Sequence, residues 1–154
     1  GYEGVKAYIL QPAVTRALYV FVNSLFTNKQ SFILDGTFAN YDNAVQNIER
    51  ALKRGYHADI FYIYQEPESA WEFTQAREKS EGRRIELKTF IHQYFAAKDV
   101  VNEVKQKFGK KIRVMLVIKD IKQNIKDYEI DIDRIDDYLK QKYNEHTLVE
   151  TLTQ

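Results

Sequence analysis

The sequence predicts an α/β fold: a mostly parallel sheet with flanking helices. Three observations carry this. Short runs rich in β-branched and aromatic residues stand at 31–34, 58–64 and 111–118. Each is too brief for a helix and suits a buried strand. Amphipathic helical patterns separate them, and that order requires crossovers between parallel strands. In such sheets ligands gather beyond the carboxyl ends of the strands.

The elements run in order along the chain. Residues 12–28 suit a helix, with Pro12 in the first turn, where its missing N–H costs nothing. Leu18, Val22 and Leu25 recur at helical spacing, and Val14 and Phe21 widen the stripe. The run 31–34 is the first strand. Asn40 or Asp42 can cap a helix over about 42–54, its inward face formed by Val45, Ile48 and Leu52. Lys53, Arg54 and Gly55 are its stop. ADIFYIY, 58–64, is the second strand. Pro67 opens a helix to about 79, and Gly82 ends it. The clearest helix is about 86–108, where Phe90, Tyr94, Ala97, Val101, Val104 and Phe108 step by fours and threes. KIRVMLVI, 111–118, is the third strand, and YEIDI, 128–132, a short fourth. Asp133 caps a further helix with Ile135, Tyr138, Leu139 and Tyr143 on one face, and a short helix about 147–152 ends the chain.

Composition excludes several classes. The 154 residues fit one domain, 1–154, without repeats or linkers. A net charge of +1 supplies no field for nucleic acid or an acidic membrane. There is no cysteine, hence no disulfide, thiolate nucleophile or thiolate metal site, which fits a reducing, cytoplasmic setting. No apolar run reaches the roughly 18 residues of a membrane span. His57, His92 and His146 lack partners at metal-ligand spacing. KQKFGKK, 105–111, is a basic cluster at a helix end, where the dipole favours cations. The sequence has no G-x-x-x-x-G-K-[ST] loop, no G-x-S-x-G and no H-E-x-x-H.

Two stretches can carry chemistry. Asp35-Gly36-Thr37 stands after the first strand: the carboxylate can accept a ligand's hydrogen bonds, and the glycine lets the backbone approach closely. The same tripeptide also serves as a plain helix-entry turn. In AREKSEGRR, 76–84, Arg77 on a helix and Arg83 and Arg84 in a loop can converge on phosphate, whose oxygens match the guanidinium fork. The alternative is a solvated loop paired to Glu78, Glu81 and Glu86. Two further strand ends carry Gln65 and Glu66, and Lys119 and Asp120.

The order and spacing of two segments, NKQSFILDGTFANYDNAVQNIERALKRGY and ADIFYIYQEPESAWEFTQAREKSEGRRIELKTFIHQYFAAKDVVNEV, resemble the zeta-toxin family of P-loop kinases over about residues 1–120. The resemblance implies a three-layer P-loop-kinase-like fold and a phosphotransferase using ATP or GTP with Mg²⁺. It implies a nucleotide-sugar acceptor such as UDP-N-acetylglucosamine, and an antitoxin protein as partner. Asp35 and Thr37 match the residues that contact the acceptor, with Asp35 in place of the glutamate of some members. Arg77 matches the helix arginine. Arg84, or Arg83 beside it, matches the loop arginine, and Arg83 is assigned to the nucleotide. Such arginines stabilise charge on a transferring phosphoryl group.

Family members carry the phosphate loop, its lysine and the catalytic base ahead of the region matched here. The chain therefore reads as the C-terminal portion of such a kinase, incomplete at its N-terminus, inactive and without bound cofactor. The absent strand normally lies mid-sheet. The remaining strands close the gap, pair with another copy as a homo-oligomer, or leave it empty. The competing readings are a degenerate, non-catalytic module that holds a nucleotide-sugar or a protein, and a structural or assembly domain.

Overall fold

A computed structural model describes residues 4–82, 84–120, 122, 124–140 and 143–153, with side chains described from residue 12 onward. Among the described residues there are five α-helices and three strands: α1 Gly4–Thr27, α2 Tyr41–Leu52, β1 Ala58–Tyr64, α3 Pro67–Glu81, α4 Leu87–Phe108, β2 Ile112–Lys119, β3 Ile125–Ile130 and α5 Glu145–Leu152. The chain forms two compact units. The first holds Gly1–Gly36 and Thr74–Ile85; the second holds Thr37–Phe73 and Glu86–Gln154.

In the first unit α1 buries Val22 and Phe26, and Phe26 meets Phe32 edge-on at 5.2 Å. Pro12 does not open the helix; it lies inside it. The residues ahead of Pro12 contain no breaker after Gly4, and an interior proline removes only one hydrogen bond from a helix extended on both sides. Residues 31–34 form no strand. A run this short becomes β only when a neighbour takes up its backbone groups. Ile33 is instead 95% exposed.

The second unit is built on a mixed sheet of order β1-β2-β3. β1 and β2 are parallel, in register from Ala58↔Ile112 to Tyr64↔Ile118. The crossover between them contains α4. β3 returns antiparallel to β2, pairing Met115↔Ile130 and Val117↔Tyr128. The expected mostly parallel sheet is thus corrected to one parallel and one antiparallel pair, because a short turn after β2 permits only a hairpin. That turn is tied by Asp120, whose carboxylate accepts from the Asn124 backbone N–H at 2.8 Å. β1 has one partner, β2, so its other edge carries no strand among the described residues.

The core lies on one face of this sheet. Ile112, Val114 and Leu116 of β2 are nearly solvent-free, as are Val101 and Val104 of α4, and Ala44 and Ile48 of α2 join them. Asn40 caps α2 by accepting from the Asn43 N–H at 2.9 Å. The stripe expected on α4 is present and is widened by Ile91, Val100 and Lys105. Lys105 is no solvated end-of-helix cation: it is 5% exposed, and its Nζ donates to the Ile112 carbonyl at 3.2 Å and to Asp131 at 3.1 Å.

The helix expected from Asp133 is a single tight turn, Ile135–Asp137. Side chains of α4 hold it. Asn102 Oδ1 accepts from the Ile135 N–H at 2.9 Å, and Asn102 Nδ2 donates to Asp136 at 2.7 Å. α5 then starts with a reciprocal cap between Asn144 and Thr147, and its Leu148 is fully buried.

Candidate functional site

The residues singled out at the first strand end and the arginine loop are all at the surface. Asp35 is exposed in the irregular segment after α1, and Thr37 is exposed in the second unit. Arg77 lies in the C-terminal half of α3, with its side chain more than half exposed. Its Nη2 stands 3.6 Å from Glu81, one helical turn on. Arg84 lies just beyond Gly82, and its Nε is 3.8 Å from Glu78. Gly82 has φ of 69°, a conformation that releases the chain from the helix at little cost for glycine alone. Within the first unit no hydrogen bond or ion pair joins Asp35 to Arg77 or Arg84 among the described residues. Arg83 lies outside the described residues.

Two exposed arginines, each beside a glutamate, retain most of their donors for another anion. Ion pairs this solvated hold them only weakly, and a phosphate would compete with the glutamates for the guanidinium forks. Metal chemistry fares differently. Among the described residues no cluster of three or more His, Asp or Glu could hold a metal ion.

A second constellation surrounds the carboxyl end of β1, inside the second unit. Gln65 and Glu66 were legible as a strand end, and here they are used. Gln65 Nε2 donates to the Asp120 carbonyl at 3.3 Å, linking the ends of β1 and β2. Glu66 Oε2 accepts from the Tyr143 hydroxyl at 2.7 Å and the Tyr64 hydroxyl at 3.2 Å. Tyr94 of α4 donates its hydroxyl to the Gln65 carbonyl at 3.4 Å. Beside them Lys98 forms an ion pair with Asp136, and both side chains are mostly buried.

These groups border a cavity of about 140 Å³ lined by Tyr62, Tyr64, Tyr94, Phe95, Lys98 and Asp136, with Leu139 and Tyr143. Its electrostatics arise from burial. Desolvation pushes the Tyr64 phenol up to about 12, with Glu66 adding to the effect. Desolvation also raises Tyr62, Tyr94 and Tyr143, the last helped by its bond to Glu66. All four phenols are therefore neutral donors at ordinary pH. Asp136 meets two opposed effects: burial raises its carboxyl, but the bond and charge of Lys98 and the bond from Asn102 bring it below the usual carboxylate range.

Sequence reasoning missed Lys98, Asp136 and Tyr143 as members of one cluster. The available signal was the pair of strand-end residues Gln65 and Glu66. The groups that meet them come from tens of residues away and carry no motif.

Among the described residues no helix is long and apolar enough to cross a membrane. No curated protein and no solved structure matches the chain. The family model for zeta toxin matches residues 5–133, a span that contains the acid-Gly-Thr segment, both helix and loop arginines, and the parallel pair β1–β2. The chain therefore belongs to the zeta-toxin family, whose members are kinase-like P-loop proteins.

Proposed function

We propose that this chain is the acceptor-side portion of an ATP- or GTP-dependent phosphotransferase with a three-layer kinase fold. In this reading Asp35 and Thr37 hold the hydroxyl-bearing acceptor, a nucleotide-sugar such as UDP-N-acetylglucosamine. Arg77 and Arg84 neutralise charge on the phosphoryl group in flight, with Arg83 on the nucleotide. The family match over residues 5–133 is the observation that supports it. Phosphoryl transfer depends on positioning and charge neutralisation, and removing an arginine from such a site costs turnover. The nucleotide and its Mg²⁺ would be held by a phosphate loop, which the 154 residues do not contain. Transfer by these residues alone is expected to be absent. An antitoxin that blocks the acceptor side, and self-association along the β1 edge, belong to the same proposal.

A second reading is a module that holds a nucleotide-sugar or a protein without chemistry. Calorimetry of the chain with UDP-N-acetylglucosamine tests both. Binding weakened by Asp35→Asn, Thr37→Val and Arg77→Ala supports the assigned roles. No binding, or binding indifferent to all three substitutions, overturns them. Phosphorylated product from MgATP and UDP-N-acetylglucosamine, monitored by ³¹P NMR, would overturn the expectation of inactivity.

A further inference from the structure

The cavity at the carboxyl end of β1 has three properties that a packing defect does not combine. First, one of its lining hydroxyls is left open to the cavity. The Tyr62 hydroxyl forms no hydrogen bond with any group among the described residues, although a largely buried phenol normally finds a partner. No wholly enclosed side-chain N or O atom lacks a partner among the described residues. The hydroxyl of Tyr62, which lines the cavity, is therefore open to accessible space.

Second, the ion pair beside it has spare capacity. An ionised carboxylate offers about four acceptor positions and an ammonium three donors. Asp136 receives Lys98 on one oxygen and Asn102 and Arg134 on the other. Lys98 donates one hydrogen bond, to Asp136, and its Nζ also stands 3.9 Å from Asp99, which still leaves a donor for a ligand.

Third, part of the wall comes from outside the family's shared region. The family match ends at residue 133, whereas Asp136, Leu139 and Tyr143 lie beyond it. The C-terminal segment is fastened in place by Asn102 on Ile135 and by Glu66 on Tyr143.

Size and charge then select the occupant. About 140 Å³ holds on the order of five waters at roughly 30 Å³ each, enough for one ring and well below the roughly 300 Å³ at which whole drug-sized ligands are held. Lys98 is neutralised by Asp136, and Glu66 lies behind Tyr64 and Tyr143, so an anion gains nothing here. The aromatic walls suit the C–H face of a ring. The donors and the carboxylate suit hydroxyls that both give and accept.

We propose that this cavity is a binding site for a neutral, hydroxyl-bearing single ring, a monosaccharide. Ring hydroxyls accept from Tyr62 and Lys98 and donate to Asp136, while Tyr94 and Phe95 flank the ring. The proposal stands whether or not the phosphotransfer reading holds, because it uses none of Asp35, Thr37, Arg77 or Arg84.

The test is titration of the chain with free glucose and with free N-acetylglucosamine, monitored by amide and aromatic NMR shifts. Saturable shifts at Tyr62, Tyr94 and Lys98 are expected. Tyr62→Phe should weaken binding about fivefold, the worth of one hydrogen bond. Asp136→Asn should weaken it further, and near-ultraviolet circular dichroism identifies any variant that has lost its packing. Tyr62→Phe removes only the hydroxyl, so its fold and its result are separable. Absence of saturable shifts, a response to inorganic phosphate equal to that for sugar, or undiminished binding by folded Tyr62→Phe would each overturn the proposal.

Discussion

On one face of the sheet Ile112, Val114 and Leu116 are almost wholly removed from solvent. On the other, Phe61 and Ile63 of β1 and Tyr128 and Ile130 of β3 are each at least 60% exposed. The register aligns the open side chains in two rows, Phe61–Met115–Ile130 and Ile63–Val117–Tyr128. Both faces carry rows of apolar residues. Only one is converted into stability, because burial and not hydrophobic character removes area from water. The polar groups differ in the same way. On the packed side Lys105 and the Lys98–Asp136 pair are drawn in from solvent and bonded to the groups around them. On the open side Arg113 meets Asp59 through two bonds of 2.8 Å in solvent.

Substitutions can break this comparison or sharpen it. Leu116→Ala should cost about 2–5 kcal/mol, since it leaves a cavity in the closed layer. Lys105→Ala strips a donor from the Ile112 carbonyl and should cost about 1–3 kcal/mol. Ile63→Ala on the open face should cost under about 1 kcal/mol. Urea unfolding measures all three, and equal losses for Leu116→Ala and Ile63→Ala would mean that the open face is covered in solution.

Acid titration separates the two carboxylates. Asp136 is held below its ordinary range in the folded state, so its contribution is present above the unfolded value near 3.9 and is lost as pH falls below that. Asp136→Asn should flatten the stability profile below about pH 4. Asp59, held down by its bond to Arg113 on the open side, should show the same sign with a smaller amplitude, because water screens the pair. A larger effect at Asp59 would reverse the ranking of the faces. The smallest change is expected for Arg77→Ala, within about 0.5 kcal/mol, because its partner Glu81 is similarly solvated. A larger loss would show that Arg77 is a structural residue.

How much was legible in the sequence varied with the range of the forces involved. β1 was placed at 58–64 from its composition, and the Pro67 start and the α4 stripe were likewise legible, as was a cap at Asn40 or Asp42, of which the structure uses Asn40. Each depends on neighbours within about one helical turn. The run 31–34 had the same apolar signature as β1, yet it stayed irregular while β1 found β2. Asp35, Thr37, Arg77, Arg83 and Arg84 were singled out by motif. Of the cavity's surroundings, the sequence displayed only the strand-end pair Gln65 and Glu66, which bond to Tyr94 and Tyr143.

The sequence by itself determined the alternation of helix and strand, most helix ends and the family, because periodicity, caps and motif order are local properties of the chain. Tertiary structure decided which apolar run became a strand, which lysine was buried, and that residues 135–137 form one turn and not a helix. Those outcomes depend on partners far away in the chain, such as Lys98 and Asp136, 38 residues apart. A backbone group or a charge is stabilised only by what lies beside it in space.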